Sequence, residues 1–136
     1  MMKMVNVKRS VMSMTAAAAA VVAMGWATAH AETVKDGVYT EEQAAAGKEL
    51  FERRCSACHN ADFYRNSFNN RNNQPLQYLF EEIIVSMPAD MPGSLMDSEY
   101  EQILAHIMSL IGLPAGDKAL DYASGTMESI LIVPVN

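Results

Sequence analysis

The sequence predicts a small all-α domain, and two observations support this class. The chain has 136 residues, half of them apolar, which suits one domain with a thin core. Apolar residues recur at helical spacing in three stretches, which are separated by segments rich in turn-forming residues. With 19% charged residues and a formal net charge of −6, the chain resembles neither a disordered tail nor a general nucleic-acid binder.

Residues 1–31 have the three parts of a secretory signal peptide. Basic residues near the start precede an apolar run over residues 11–26, and a small-residue A-x-A site ends at Ala31. An uncleaved membrane anchor is the alternative, but a spanning helix needs about 20 apolar residues. This run is shorter and ends in small residues rather than charges, so we expect export, cleavage after about Ala31 and no stable membrane insertion. A domain over residues 32–136 would remain.

Loss of this leader would make the protein more acidic. The leader holds Lys3, Lys8 and Arg9 and no acidic residue, so seven basic side chains would remain against sixteen acidic ones, a formal net charge of −9. A balance of this kind favours partners with a basic docking face and an encounter rate that depends on salt.

The first predicted helix begins after Thr40 and ends at about Arg54. Thr40 and Gln43 have the spacing of a capping box, and apolar residues recur on one side of the helix. Gly47 lies in its middle, where glycine costs about 1 kcal/mol relative to alanine. We therefore expect another helix to approach closely at Gly47.

This helix leads into the sequence Cys55-Ser56-Ala57-Cys58-His59. C-x-x-C-H is the attachment site of a c-type haem, in which two thiols bond the haem edge and the histidine ligates the iron. A redox dithiol would need a βαβ surround, and a zinc site would need a second pair of ligands. The motif therefore predicts one covalent haem c on Cys55 and Cys58, with His59 as an axial iron ligand.

Three further segments follow the motif. Six asparagines and no apolar periodicity predict a loop over residues 60–74. Apolar spacing predicts a second helix over about Pro75–Val85 and a third over about Ser98–Ile111, capped by Asp97. We expect residues 114–136 to wrap the domain as an extended tail.

The remaining axial position of the iron has two methionine candidates. Met-Pro occurs twice between the second and third helices, at Met87 and at Met91. A thioether is a soft ligand that raises the haem potential, and a following proline stiffens the loop that presents the sulfur. Spacing alone does not choose between the two.

The order of helix, C-x-x-C-H, helix, Met-Pro loop and C-terminal helix resembles class I cytochrome c over roughly residues 36–113. The motif Met-Pro-x-x-x-Pro-Gly-Ser-Leu that begins at Met87 is similar to small bacterial cytochromes c that serve periplasmic dehydrogenases. The resemblance implies that Met87 is the axial ligand and that Met91 is not. It also implies a cytochrome c-like helical domain wrapped around one haem, a periplasmic location, a dehydrogenase donor, and an oxidase or other cytochrome as acceptor.

Two histidine questions accompany the resemblance. The chain has residues 60–73 where those proteins have a Gly-Pro-Leu-type segment, so the group that hydrogen-bonds Nδ1 of His59 is not identified. His106 lies near the edge of the apolar stripe of the third predicted helix, where a packed imidazole is favoured over a haem ligand.

A haem ligated on both faces leaves electron exchange as its chemistry, so we expect a one-electron carrier and no catalytic residues. One alternative is a haem enzyme with a labile sixth ligand, of peroxidase-like or sulfur-oxidising activity. Another is a haem subunit that exists bound to a larger dehydrogenase.

Overall fold

The computed structural model describes residues 31–136, so the predicted signal peptide lies outside the described residues, apart from Ala31. The described chain forms four α-helices and one short 3₁₀ turn: α1 (Glu41–Arg54), α2 (Ala61–Asn69), α3 (Leu76–Ser86), α4 (Asp97–Leu110) and the turn Thr126–Glu128. The predicted all-α class is confirmed. Within residues 31–136, no helix is both long and apolar enough to cross a membrane.

Helices α1 and α4 cross in close contact at Gly47. A Cβ atom added to Gly47 would lie 1.9 Å from the backbone oxygen of Gln102 in α4, so only a glycine fits at this point. The predicted close approach of another helix is confirmed. The predicted capping box is half formed: the Thr40 hydroxyl accepts from the Gln43 N–H at 3.2 Å, but the Gln43 side chain bonds the backbone of Leu120 instead.

The loop predicted over residues 60–74 is wrong, because its first part forms α2. The side chain of Asn60 caps this helix by accepting from the Phe63 N–H at 3.0 Å. Tyr64 and Phe68, one turn apart, are buried against the core. Two apolar anchors and one cap thus suffice for a short helix that shows no longer periodicity.

The other two helices lie close to their predicted positions. Helix α3 begins after Pro75, and α4 begins one residue earlier than expected. The predicted cap at Asp97 is wrong, since Met96 occupies the cap position and Asp97 lies in the first turn. Met96 has no side-chain oxygen, and the carboxylate of Glu99 accepts its backbone N–H at 2.9 Å instead.

Residues 114–136 lie across the helices as a tail with little regular structure. Five apolar side chains of this tail are buried: Leu120, Met127, Ile130, Ile132 and Val135. Its last part is held by backbone bonds to two distant segments, from Leu131 to Glu32 at 2.8 Å and from Asn73 to Ile132 at 2.8 Å. The tail is therefore part of the core.

Candidate functional site

One cavity of about 560 Å³ lies among the four helices, within the size range of small-molecule and cofactor pockets. Its wall is mostly apolar and is formed by buried or half-buried side chains of α2, α3 and α4: Tyr64, Phe68, Leu79, Ile83, Ile103, Leu104 and Ile107. The two thiols of Cys55 and Cys58, the imidazole of His59 and the thioether of Met87 also line it. The structure thus brings together four of the five residues that the sequence singled out for the haem, and leaves out Met91.

The cysteine motif forms a turn that continues the end of α1. The Cys55 N–H donates to the Phe51 carbonyl at 2.8 Å, and the N–H groups of Cys58 and His59 both donate to the Cys55 carbonyl, at 3.2 and 3.1 Å. These bonds curl the chain so that Cys55, Cys58 and His59 line the same cavity. Because α2 begins directly afterwards, the turn is held between two helices.

The two thiols differ in environment. Cys55 is half-buried, and burial raises the pKa of its thiol, an effect that the nearby positive charge of Arg54 opposes. Cys58 is exposed at the edge of the cavity. Neither cysteine is in a disulfide, so both are free to bond a haem edge.

The imidazole of His59 packs against two aromatic rings. Phe63 stacks on it with ring centroids 4.2 Å apart, and the Tyr64 ring lies 5.7 Å away at a tilt. Nδ1 is buried and has no hydrogen-bond partner among residues 31–136. Burial, together with the proximity of Cys55, raises the pKa of the Tyr64 hydroxyl, which is therefore neutral at physiological pH.

The structure separates the two candidate methionines. Met87 is half-buried at the end of α3 and lines the cavity, whereas Met91 is 59% exposed and does not. The carbonyl of Met87 accepts a hydrogen bond from the hydroxyl of Tyr100 at 2.7 Å. Tyr100 lies within the third helix that apolar spacing predicted, but that spacing gives no signal of what its hydroxyl bonds, so the sequence analysis missed this contact.

Polar side chains also line the cavity. Arg71 donates to the carbonyl and hydroxyl of Ser67 and forms an ion pair with Glu82, and all three residues line the cavity. Arg54, which directly precedes Cys55, pairs with Asp90 at 3.6 Å. An amphipathic ligand would therefore meet an apolar interior and a polar rim.

His106 does not line this cavity. It borders a separate, shallow groove between the start of α1 and the end of α4, and its ring packs against Phe51 with centroids 5.0 Å apart. Burial lowers the pKa of its imidazole, while a hydrogen bond to the backbone of Ala44 opposes this shift. The structure therefore shows a half-buried, packed imidazole outside the cavity.

The donor set fits a covalently attached haem better than a metal ion alone. The cavity provides two thiols on one turn, an imidazole and a thioether within an apolar wall, which are the groups that attach and ligate a c-type haem. Zinc would need four close ligands, and no group of three or more His, Cys, Asp or Glu side chains arranged for a metal ion occurs within residues 31–136.

Comparison with known proteins gives a match to a protein family. Residues 42–107 match the family model described as cytochrome C oxidase, cbb3-type, subunit III. This range contains every residue that lines the cavity. No curated protein and no solved structure matches the chain.

Proposed function

We infer the function from the premise that residues 42–107 form a domain of the cytochrome c family, which binds haem c covalently and transfers electrons. We propose that the protein is an exported one-electron carrier with histidine and methionine as the axial ligands of its iron. The observation that carries this proposal is the convergence of Cys55, Cys58, His59 and Met87 on one apolar cavity.

The haem supplies one-electron exchange between two oxidation states of its iron. Around it, the thiols of Cys55 and Cys58 would form the covalent attachment, while the imidazole of His59 and the thioether of Met87 would bind the iron. The short turn from Cys55 to His59 preorganises the first three of these groups, and the end of α3 presents the fourth. Apolar residues of α3 and α4 would exclude water from the iron.

If His59 and Met87 both bound the iron, no open position would remain for oxygen or peroxide, which favours a carrier over an enzyme. An enzyme with a labile sixth ligand would bind carbon monoxide rapidly and tightly in its reduced state. The carrier instead keeps a low-spin haem that is slow to exchange ligands.

The matching family's description favours a second candidate function, a haem subunit of a larger oxidoreductase. Both functions need the same cavity. They differ in whether the protein is free or is bound to the other subunits of an oxidoreductase. Size-exclusion chromatography of a native extract separates them, since a free carrier elutes near the mass of one small domain.

Location and partners belong to the same proposal. The leader pattern of residues 1–31 supports export to the periplasm, and the similarity of the Met87 motif supports a dehydrogenase as electron donor. An oxidase or another cytochrome would then accept the electron. Acidic residues outnumber basic ones sixteen to seven after the leader, which supports partners with a basic docking face.

Spectroscopy of the haem-loaded protein tests the ligand assignment. A pyridine haemochrome spectrum should show one covalent haem c, and Cys55→Ala with Cys58→Ala should lose covalent attachment. Met87→Ala should lose the weak near-infrared sulfur-to-iron band, whereas Met91→Ala, the matched control in the same loop, should keep it. The reverse result would reassign the axial ligand to Met91 and refute the proposed arrangement.

A further inference from the structure

The backbone of Met87 is held by groups from two different elements. Its N–H donates to the Ile83 carbonyl at 2.8 Å and closes the last turn of α3. Its carbonyl accepts from the hydroxyl of Tyr100 at 2.7 Å and from the N–H of Gly93 at 3.3 Å. The bond from Tyr100 is the shorter one, and it ties the end of α3 to α4.

Tyr100 is well placed to act as a rigid anchor. It lies in the first turn of α4 and is only 2% exposed, so its ring is packed in the core while its hydroxyl reaches a partner. Helix α4 is itself fixed against α1 at the Gly47 crossing. The position of the hydroxyl is thus set by the helix packing and not by the loop that follows Met87.

We propose that Tyr100 is a positioning residue that holds Met87 at the cavity, an inference that rests on the proposed role of Met87 as an axial ligand. The thioether extends from the same residue whose carbonyl Tyr100 holds, so the hydrogen bond restricts the backbone from which the ligand projects. An unrestrained loop would lose conformational entropy whenever its sulfur bound the iron. Tyr100 removes part of that cost before the haem is bound.

Met91, the other methionine of the same loop, differs from Met87 in its exposure and in its backbone hydrogen bonds. Its side chain is 59% exposed, and its N–H donates at 2.9 Å to Pro88 within the same loop. Two Met-Pro pairs of one loop therefore differ in whether α4 holds them. The methionine that Tyr100 holds lines the cavity, and the other does not.

The test removes only the hydroxyl of Tyr100. Tyr100→Phe keeps the ring and its packing, and Tyr122→Phe is the matched control because it removes a hydroxyl that bonds Glu81 at 3.0 Å and not Met87. In the haem-loaded full chain, we expect added imidazole to bind the ferric Tyr100→Phe protein about two- to tenfold more tightly than the unmodified protein. The sulfur-to-iron band should weaken in parallel, and Tyr122→Phe should change neither.

The outcomes separate this inference from the proposed function. Equal imidazole affinity in the unmodified protein and Tyr100→Phe would overturn the positioning role, and so would an equal gain in both variants, which would indicate general loosening of the fold. If the unmodified protein lacks the sulfur-to-iron band and Met87→Ala keeps a low-spin spectrum, then the axial role of Met87 fails. That second result does not depend on Tyr100.

Discussion

At the residue scale, His106 is an ionisable side chain whose surroundings disfavour its charge. Burial lowers the pKa of this imidazole, a hydrogen bond to the backbone of Ala44 opposes the shift, and Lys48 lowers the pKa further while Glu52 raises it. Because the unfolded chain binds a proton more readily than the folded protein, protonation of this group favours unfolding. The effect is absent above the unfolded pKa of about 6.5 and develops as the pH falls below it.

We therefore expect His106→Phe to make thermal stability less dependent on pH. Phenylalanine can keep the contact with Phe51 but has no proton to gain. Between about pH 7 and pH 5, the unfolding temperature of the unmodified protein should fall more than that of the variant. The carboxylates are common to both proteins, so the difference between the two slopes isolates His106. Parallel slopes would mean that this imidazole titrates normally.

Residues that are close together in the sequence were predictable, and residues joined only by the fold were not. Cys55, Cys58 and His59 lie on one turn, so their spacing alone predicted that they share a site. The hydroxyl of Tyr100 meets the carbonyl of Met87 only because α3 and α4 pack together. A stripe of apolar spacing shows that Tyr100 faces the core but does not show what its hydroxyl bonds.

At the scale of elements, the crossing of α1 and α4 depends on one missing methyl group. The clash of a Cβ atom at Gly47 is with backbone of α4, which cannot move aside as a flexible side chain could. The contact between these helices also positions Ile103, Leu104 and Ile107, which line the cavity. Gly47 therefore affects the shape of the cavity, because it sets how closely α4 approaches α1.

Gly47→Ala should destabilise the protein by about 3 kcal/mol, at the upper end of the usual cost of overpacking. The sign of this change in unfolding free energy shows whether the position is crowded. At an open helix position, replacing glycine by alanine stabilises by about 1 kcal/mol through helix propensity. Ala46→Gly, at the neighbouring exposed position, is the matched control and should cost about 1 kcal/mol. Urea unfolding measures the free energy of unfolding of both variants. A Gly47→Ala protein more stable than the unmodified protein would contradict the close approach of α4 at Gly47.

Helix α2 shows the limit of periodicity as a predictor. Its nine residues bury only Tyr64 and Phe68, and its asparagines are poor helix formers, so the apolar pattern was too short to recognise. The signal that was present is the cap at Asn60, a favoured residue at that position. For α2, the cap at Asn60 is therefore a clearer sequence signal than the spacing of apolar residues.

Removal of that cap should therefore be measurable. We expect Asn60→Ala to lower the free energy of unfolding by about 1 kcal/mol, because the Phe63 N–H loses its partner. Asn72→Ala, at an exposed position beyond the end of α2, should change stability by less than about 0.5 kcal/mol. Equal effects at the two asparagines would show that the cap contributes nothing.

At the scale of the whole molecule, the tail closes the core by contacts between distant parts of the chain. Asn69 bonds both the N–H and the carbonyl of Val135, 66 residues away, and Gln43 bonds the backbone of Leu120, 77 residues away. Pairings over such distances depend on the completed fold, so the sequence indicated a wrapping tail but not its contacts.

The tail should thus behave as part of one cooperative unit. Ile132 is fully buried, and we expect Ile132→Ala to cost about 2 to 4 kcal/mol. Val133→Ala, at the adjacent half-buried position, should cost less, because alternate residues of an extended segment face opposite sides. A single unfolding transition followed by both circular dichroism and haem absorbance checks this. Loss of tail structure before the haem signal changes would show that the tail is a separate unit.

Acidic side chains outnumber basic ones, sixteen to seven, within residues 31–136. Five of the seven basic side chains within residues 31–136 lie in ion pairs, and Arg54 and Arg71 of these line the cavity. These five pairs involve only five of the sixteen acidic side chains, so the formal charge stays strongly negative. Seen from several ångströms away, the protein should act as an anion of charge near −9, to which haem propionates would add.

Small inorganic oxidants of opposite charge test whether this net charge governs electron transfer. Oxidation of the reduced protein by a cationic cobalt(III) phenanthroline complex should slow as the ionic strength rises from about 0.01 M to about 0.15 M, because the screening length falls from about 30 Å to about 8 Å. Oxidation by ferricyanide should accelerate over the same range, since salt weakens its repulsion. The opposite pair of trends would mean that the arginines at the cavity rim, and not the overall charge, determine the encounter. In that case the docking face of a natural partner would be acidic.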